Sequence, residues 1–350
     1  MVGGTICTAL NEKGTLSVSA DAGALITENF YASDSVYTGS VTFDLTENLG
    51  ILSENMTVDN WNRMIALYRE SIDKDCYDGV IFAHGTDTLA YSAALFAQIL
   101  SDTDIPVIFV SSNARLTSPR ANGNDNFRAA VECIARGITP NVYAVYRNIT
   151  DGKMYLHLAS RLMQCGNYSE DFYSSGAMDI SRIDDKNYGE YFEKLRALYP
   201  MEKRKSGLDI YHLPPLFHSV LMLRPYVGLR YDVIDYSKFS AVLHGTYHSG
   251  TACAEAEQER HTLLSLLDAC GGTNTDVYFA PSKPEGEIYD TVRVIATHGE
   301  GNKKIRFLYG YTDETAYAKL LLAYSVLEEE DRDAFIRQER NFEKIDVEKG

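Results

Sequence analysis

The chain has 350 residues, 45% hydrophobic and 23% charged, an ordinary globular mix long enough for two domains with sizeable cores. Its net charge of −16 argues against a nucleic-acid partner, whose phosphates demand clustered Lys and Arg. Met1-Val2-Gly3-Gly4 is no signal peptide and no run of ~20 apolar residues occurs, so a cytoplasmic protein with no membrane partner is expected.

The first pattern in chain order is Gly3-Gly4-Thr5-Ile6-Cys7-Thr8. Two glycines allow a close backbone turn that leaves Thr5 exposed, and a threonine acts as a nucleophile when a base takes its proton. Ser53-Glu54-Asn55-Met56 follows. It offers groups for the charged end of an amino acid, and it also reads as a helix start. Val80-Ile81-Phe82-Ala83 is a strand pattern that runs into His84-Gly85-Thr86-Asp87-Thr88. Leu89, Ala93, Phe96 and Leu100 then make one apolar face of a helix near 88–101. A hydroxyl beside a carboxylate between strand and helix can bind or deprotonate a ligand; a helix cap would need only one of them.

Pro106–Val110 is the next strand pattern, with Ser111-Ser112-Asn113 directly after it. Asn122-Gly123 reads as a turn, 124–137 as a helix and Val142–Tyr146 as a strand. This βαβα rhythm predicts a parallel sheet covered by helices. "TDGKMYLHL" reads as a hairpin. The segment 202–216, with a charge cluster, a glycine and two prolines, reads as a linker between a larger domain, 1–201, and a smaller one, 217–350. In the second domain Phe239–Leu243 and Asp276–Ala280 read as strands, 251–270 and 313–328 as helices. The fold class is α/β, with two domains each built on a parallel-type sheet flanked by helices.

The six cysteines, at 7, 76, 133, 165, 253 and 270, form no C-x-x-C and read as reduced thiols. Asn-x-Ser/Thr triplets at Asn55, Asn148 and Asn167 carry no meaning without a secretory segment. His244 and His248 sit on a strand end and turn without a third ligand nearby, so no metal is expected.

In order and spacing, G-G-T-I, S-E-N-M, H-G-T-D-T and the Ser111-Ser112-Asn113 loop after the Pro106–Val110 strand pattern resemble the bacterial-type L-asparaginases, a family that includes an asparaginase-like subunit of an archaeal tRNA-dependent amidotransferase. "FSAVLHGTYHSGTA", "APSKPEGEIYD" and "GYTDETAYAKLLLAYSV" extend the likeness more weakly to the end of the chain. The resemblance implies hydrolysis of the side-chain amide of asparagine through an acyl-threonine, with no cofactor and no metal. By position it makes Thr5 the nucleophile and Thr86 with Asp87 the second catalytic pair. Ser53, Glu54, Gly85, Thr86, Asp87 and Ser112 would bind the amino-acid substrate. A lid tyrosine is expected, for which Tyr31 and Tyr37 are both candidates. The turn at 244–251 would complete a neighbour's site, implying a homodimer or homotetramer.

Two departures stand out. The family lysine that contacts the H-G-T-D-T aspartate falls on Gln164 if "ASRLMQ" is aligned with the lysine block, or on His157 if "DGK" is. Lys153 and Arg161 are the other nearby cations. The family also has an apolar strand ahead of G-G-T-I, where this sequence has Met1 and Val2. A weakened or inactive relative that binds an amino acid is therefore the alternative expectation, and a subunit needing a partner chain is a third.

Overall fold

A computed structural model describes residues 1–10, 14–72, 76–282, 289–302 and 305–345. By their contacts the residues form two compact units, Met1–Leu213 with Arg340–Phe342, and Pro214–Glu339 with Glu343–Gly350.

In the first unit a short antiparallel pair, β1 (Thr8–Leu10) and β2 (Leu16–Val18), precedes the helices α1 (Ala22–Tyr31) and α2 (Val58–Ser71). Then come β3 (Val80–Ala83), α3 (Leu89–Ile99), β4 (Val107–Val110), α4 (Gly123–Ala135), β5 (Val142–Arg147) and β6 (Met154–Leu158). The short strands β7 (Leu162–Met163), β8 (Tyr173–Ser174) and β9 (Met178–Asp179) and the helix α5 (Tyr188–Leu198) complete it.

The main sheet has the order β3-β4-β5-β6-β9. β3, β4 and β5 are parallel, with Phe82, Phe109 and Ala144 in one row. Their apolar runs suit strands buried on both faces, and every residue of β4 is fully buried. α3 is mostly apolar on every face because all of it but Tyr91 is buried, and its alanines allow close approach. The indole of Trp61 on α2 donates to Ser92 Oγ on α3 at 2.8 Å.

The expected α/β architecture holds, with differences of detail. β6 and β9 run antiparallel, so this sheet is mixed. The hairpin between β5 and β6 is closed by Asn148 N–H to Lys153 C=O at 2.9 Å, with Gly152 at φ 70°. Asn122-Gly123 is not a reversing turn: Gly123 is the first residue of α4.

The second unit carries a sheet of four parallel strands in sequential order, β10 (Val220–Leu223), β11 (Ala241–His244), β12 (Asp276–Ser282) and β13 (Ile305–Tyr309). Its helices are α6 (Leu263–Gly271), α7 (Asp290–Asn302), α8 (Asp313–Val326) and α9 (Glu329–Arg337). The helix expected over 251–270 begins only at Leu263, capped by Thr262, which accepts from Ser265 N–H. "AEAEQER" has helical propensity but no apolar stripe to bury, and propensity alone does not hold a short helix. In the stretch 280–290, residues 283–288 lie outside the described residues. No described helix is long and apolar enough to cross a membrane.

Candidate active site

Three segments of the first unit meet through glycines. Gly4 N–H donates to Ile51 C=O at 2.8 Å, and Val2 N–H to Ala83 C=O at 2.9 Å. Gly3 and Gly4 hold φ of 144° and 73°, a region costly for side chains. A Cβ on Gly4 would lie 2.0 Å from Gly85 Cα, and one on Gly85 would lie 2.4 Å from Ser53 Oγ. The glycines of G-G-T and H-G-T-D-T are thus the same requirement seen from two sides. Just beyond the crossing, Thr5–Cys7 forms a single tight helical turn. Thr5 stays partly exposed while Ile6 and Cys7 are fully buried. Thr8 Oγ1 donates to Thr5 C=O at 2.9 Å and fastens that turn.

Beside the crossing, Ser53 Oγ donates to Asp87 Oδ2 at 2.9 Å. Thr88 Oγ1 donates to Ser53 C=O at 3.0 Å, and Gln164 Nε2 to Thr86 C=O at 3.0 Å. The 84–88 loop is therefore held from the Ser53 side and from the Gln164 side, with the Asp87 side chain exposed between them. Beneath the loop lies His84, fully buried, its Nδ1 2.9 Å from Gly85 C=O. Burial lowers its pKa to about 4, against the opposing pull of the Gly85 carbonyl, so the ring is neutral at pH 7.

Among the described residues no cation pairs with Asp87. Lys153 pairs with Asp179 at 3.3 Å. Arg161 donates through Nε to Phe342 C=O and lies 5.5 Å over the Tyr199 ring. His157 is buried against Ser174 Oγ at 2.8 Å, and burial lowers its pKa to about 3. Of the four residues weighed for the lysine position, only Gln164 reaches the loop.

The other expected positions separate. Tyr31, exposed at the end of α1, packs edge-on against Phe30 and Phe43 and donates to Val41 C=O at 3.2 Å, contacts that join it to the 41–43 segment rather than to the Asp87 cluster. Tyr37 donates to Asp185 at 3.2 Å under the Arg136 guanidinium. Ser112 is fully buried; its hydroxyl donates to Ala114 C=O and accepts from Gly123 N–H at 3.1 Å, tying the loop after β4 to the start of α4. Glu54 is exposed beside Ser53. In the second unit His244 repeats the His84 arrangement: its Nδ1 is 2.6 Å from Gly245 C=O, and Tyr231 O–H donates to its Nε2 at 2.7 Å. His248 is exposed, and no group of three metal-ligating side chains occurs among the described residues.

One neighbour of the site escaped sequence reasoning. Cys165 donates to Asp171 C=O at 3.0 Å. Burial, reinforced by the charges of Asp171 and Asp87, pushes its thiol up to about 12, so it is no nucleophile. Its only signal in the sequence was adjacency to Gln164.

Residues 1–188 match the model of the family described as Asparaginase, N-terminal. Among curated proteins, the chain is similar to the D subunit of the glutamyl-tRNA(Gln) amidotransferase of Haloquadratum walsbyi, 33% identical over 135 residues, 38% of this chain and 30% of that protein. The same amidotransferase component from Thermoplasma volcanium is 29% identical over 197 residues, 56% of this chain and 46% of that protein. The matches thus span less than half the length of these relatives. Among solved structures, the thermostable L-asparaginase from Thermococcus kodakarensis aligns with a TM-score of 0.67 at 20% identity, covering 99% of this chain and 98% of that one. L-asparaginase I from Vibrio cholerae aligns with a TM-score of 0.66 at 19% identity, covering 98% and 97%. At these identities the structural likeness speaks for the fold.

Proposed function

The chain belongs to the asparaginase family, and on that premise we propose that it hydrolyses the side-chain amide of L-asparagine to L-aspartate and ammonia. The observation that carries this reading is the convergence of Thr5, the Ser53–Asp87 pair and the Thr86 loop around one glycine crossing. In this reading Asp87 accepts from the substrate's α-ammonium and Ser53 holds its α-carboxylate. The Thr5 hydroxyl oxygen attacks the amide carbon while its proton is relayed through the Thr86 hydroxyl, which gives up its own, toward the leaving nitrogen. The C–N bond breaks, the nitrogen takes that proton, and ammonia leaves. Water then attacks the acyl-threonine ester, freeing aspartate and restoring the hydroxyl. The protein works as a cytoplasmic homodimer or homotetramer.

A second reading is favoured by one observation: the neutral Gln164 stands on the Thr86 loop, and no described cation accompanies Asp87. A positive charge there would help the relay carry a proton; an amide does not supply it. On this reading the protein binds an amino acid and turns it over weakly, or releases ammonia usefully only beside a partner chain, as the names of its curated relatives suggest.

Ammonia release from asparagine and from glutamine, with Thr5→Ala as control, tests the first reading. Release that survives Thr5→Ala would end the acyl-threonine proposal. Calorimetric binding of aspartate with no ammonia release would favour the second.

A further inference from the structure

Three adjacent strands of the first unit run out into one row of polar side chains. The parallel registers Ala83↔Val110 and Val110↔Val145 carry His84, Ser111 and Tyr146 next, side by side across β3, β4 and β5. His84 N–H donates to Val110 C=O at 2.9 Å, so the ladder reaches this row. Side chains alternate along a strand, which puts the three on the face of Phe82 and Phe109, the face that Phe96 of α3 covers. None of the three is more than 1% exposed. His84 Nε2, the Ser111 hydroxyl and the Tyr146 hydroxyl make no hydrogen bond among the described residues.

A carbonyl only accepts, so His84 Nδ1, 2.9 Å from Gly85 C=O, carries the ring's proton and Nε2 is a bare acceptor. The second unit holds the same arrangement in completed form. There His244 Nδ1 lies 2.6 Å from Gly245 C=O, and Nε2 accepts from the Tyr231 hydroxyl at 2.7 Å. In the first unit the hydroxyls of the row are those of Ser111 and Tyr146. Burial raises the Tyr146 hydroxyl well above its ordinary range, against the pull of Asn122 beside it, so it keeps its proton to donate. The Asn122 side chain is itself engaged, donating to Arg147 C=O at 2.7 Å and accepting from Asn113 N–H at 2.9 Å.

Buried polar groups are costly without partners, and ordered water serves them where protein atoms do not reach. Neighbouring strands stand ~4.8 Å apart, a gap that one water spans between adjacent side chains. The row has the polarity of a chain: Tyr146 donates, Ser111 accepts and donates, and His84 Nε2 only accepts. Its far end is His84 Nδ1–H on Gly85 C=O, in the peptide whose N–H belongs to Thr86. Hydrogen bonds in series polarise one another. The next peptide is held as well, by Gln164 Nε2 on Thr86 C=O at 3.0 Å. Both peptides that flank Thr86 thus rest on neutral donors.

We propose that His84, Ser111 and Tyr146 bind ordered water as one buried chain, running from the Tyr146 hydroxyl to His84 Nε2, and that they are positioning residues for Thr86. The positioning role rests on the proposed hydrolysis of asparagine; the chain itself does not. The chain holds the Gly85–Thr86 peptide in one orientation and makes the Thr86 N–H a stronger donor to negative charge that develops on the substrate, without adding a cation. Ser53 and Asp87, which grip the substrate in that reading, lie outside the row, so substrate binding does not depend on it.

The experiment compares the full chain with Tyr146→Phe, Ser111→Ala and the double variant. Removing a hydroxyl that belongs to a chain destabilises, whereas removing an orphaned one does not. Each single substitution should lower the melting temperature by about 3 °C, and the double by no more than about 4 °C, because the two share one chain. Each should also move the ring-nitrogen NMR signal of His84 and leave that of His244 in place. With asparagine, kcat should fall about fivefold while KM stays within about twofold. Melting temperatures unchanged or raised by both substitutions, or a His84 signal that neither one moves, would overturn the chain. Unaltered kcat in an active protein would overturn the positioning role. The melting and NMR changes in a protein that releases no ammonia would uphold the chain and count against the hydrolysis instead.

Discussion

The hydroxyl of Ser53 lies 2.9 Å from Asp87 Oδ2, and that hydrogen bond is the contact made by a carboxylate otherwise open to solvent. A carboxylate placed at a strand end and left exposed serves a ligand more than a core. Asp87→Ala should abolish binding of asparagine or aspartate in calorimetry. A part-buried hydrogen bond of this kind contributes ~1 kcal/mol, so the melting temperature should fall by no more than about 4 °C. A larger fall with binding retained would mean that Asp87 secures the start of α3 instead.

Gln164 donates to Thr86 C=O at 3.0 Å, so a lysine placed there would bring a charge to the loop. Beside a carboxylate otherwise open to solvent, one such charge is screened and worth on the order of 1–2 kcal/mol in the transition state. Gln164→Lys should raise kcat by about tenfold or more, with the gain fading at high pH as the lysine loses its proton. Wild-type turnover of asparagine already near ~10 per second would show that the missing charge is not limiting.

Much of this was legible in the sequence, for physical reasons. Val80–Ala83, Val107–Val110 and Val142–Arg147 are strands because short β-branched and aromatic runs suit a sheet buried on both faces. The link between Gln164 and the Thr86 loop came only through family resemblance, since Gln164 and Thr86 are far apart in the chain. Side-chain direction was not legible. Ser112 follows a strand as a binding serine would, yet its hydroxyl is spent on Ala114 and Gly123. Tyr31 ends α1 on the face that packs against Phe43. The start of α6 at Leu263 was hidden because residues 251–258 have propensity without an apolar face.

The glycine crossing gives a sharper test than either motif alone. A Cβ on Gly85 would strike Ser53 Oγ at 2.4 Å and Gly4 Cα at 2.8 Å, the latter backbone with little room to move. Gly137, at φ 75°, meets nothing within 4 Å, so alanine there adds strain without a clash. Gly137→Ala should cost ~1 kcal/mol in urea unfolding. Gly85→Ala should cost at least ~3 kcal/mol or prevent soluble expression. Equal costs would show that the segments can part without loss.

The last prediction concerns acid. His84 and His157 lie in the first unit, with pKa lowered by burial to about 4 and about 3. In the unfolded chain each takes a proton near pH 6.5; in the folded chain each refuses it until the pH is far lower. Between those values the unfolded state binds more protons, so stability falls as the pH falls, by up to ~1.4 kcal/mol per pH unit for each histidine. The second unit has an opposing pair. His244 is lowered to about 4 by burial. Asp313 is raised to about 6 by burial, against Arg224 and with Glu314, so the folded state holds a proton that the unfolded state has lost. Between pH ~4 and ~6 these two nearly cancel. The first unit should therefore be the acid-labile one. Trp61, the chain's single tryptophan, is buried in that unit, and its fluorescence reports on it alone. Urea midpoints read from Trp61 should drop steadily from pH 6.5 to pH 4, and His157→Gln should flatten the slope by about a half. Midpoints constant from pH 7 to pH 5 would mean that the two rings find their protons in the folded state as easily as in the unfolded one.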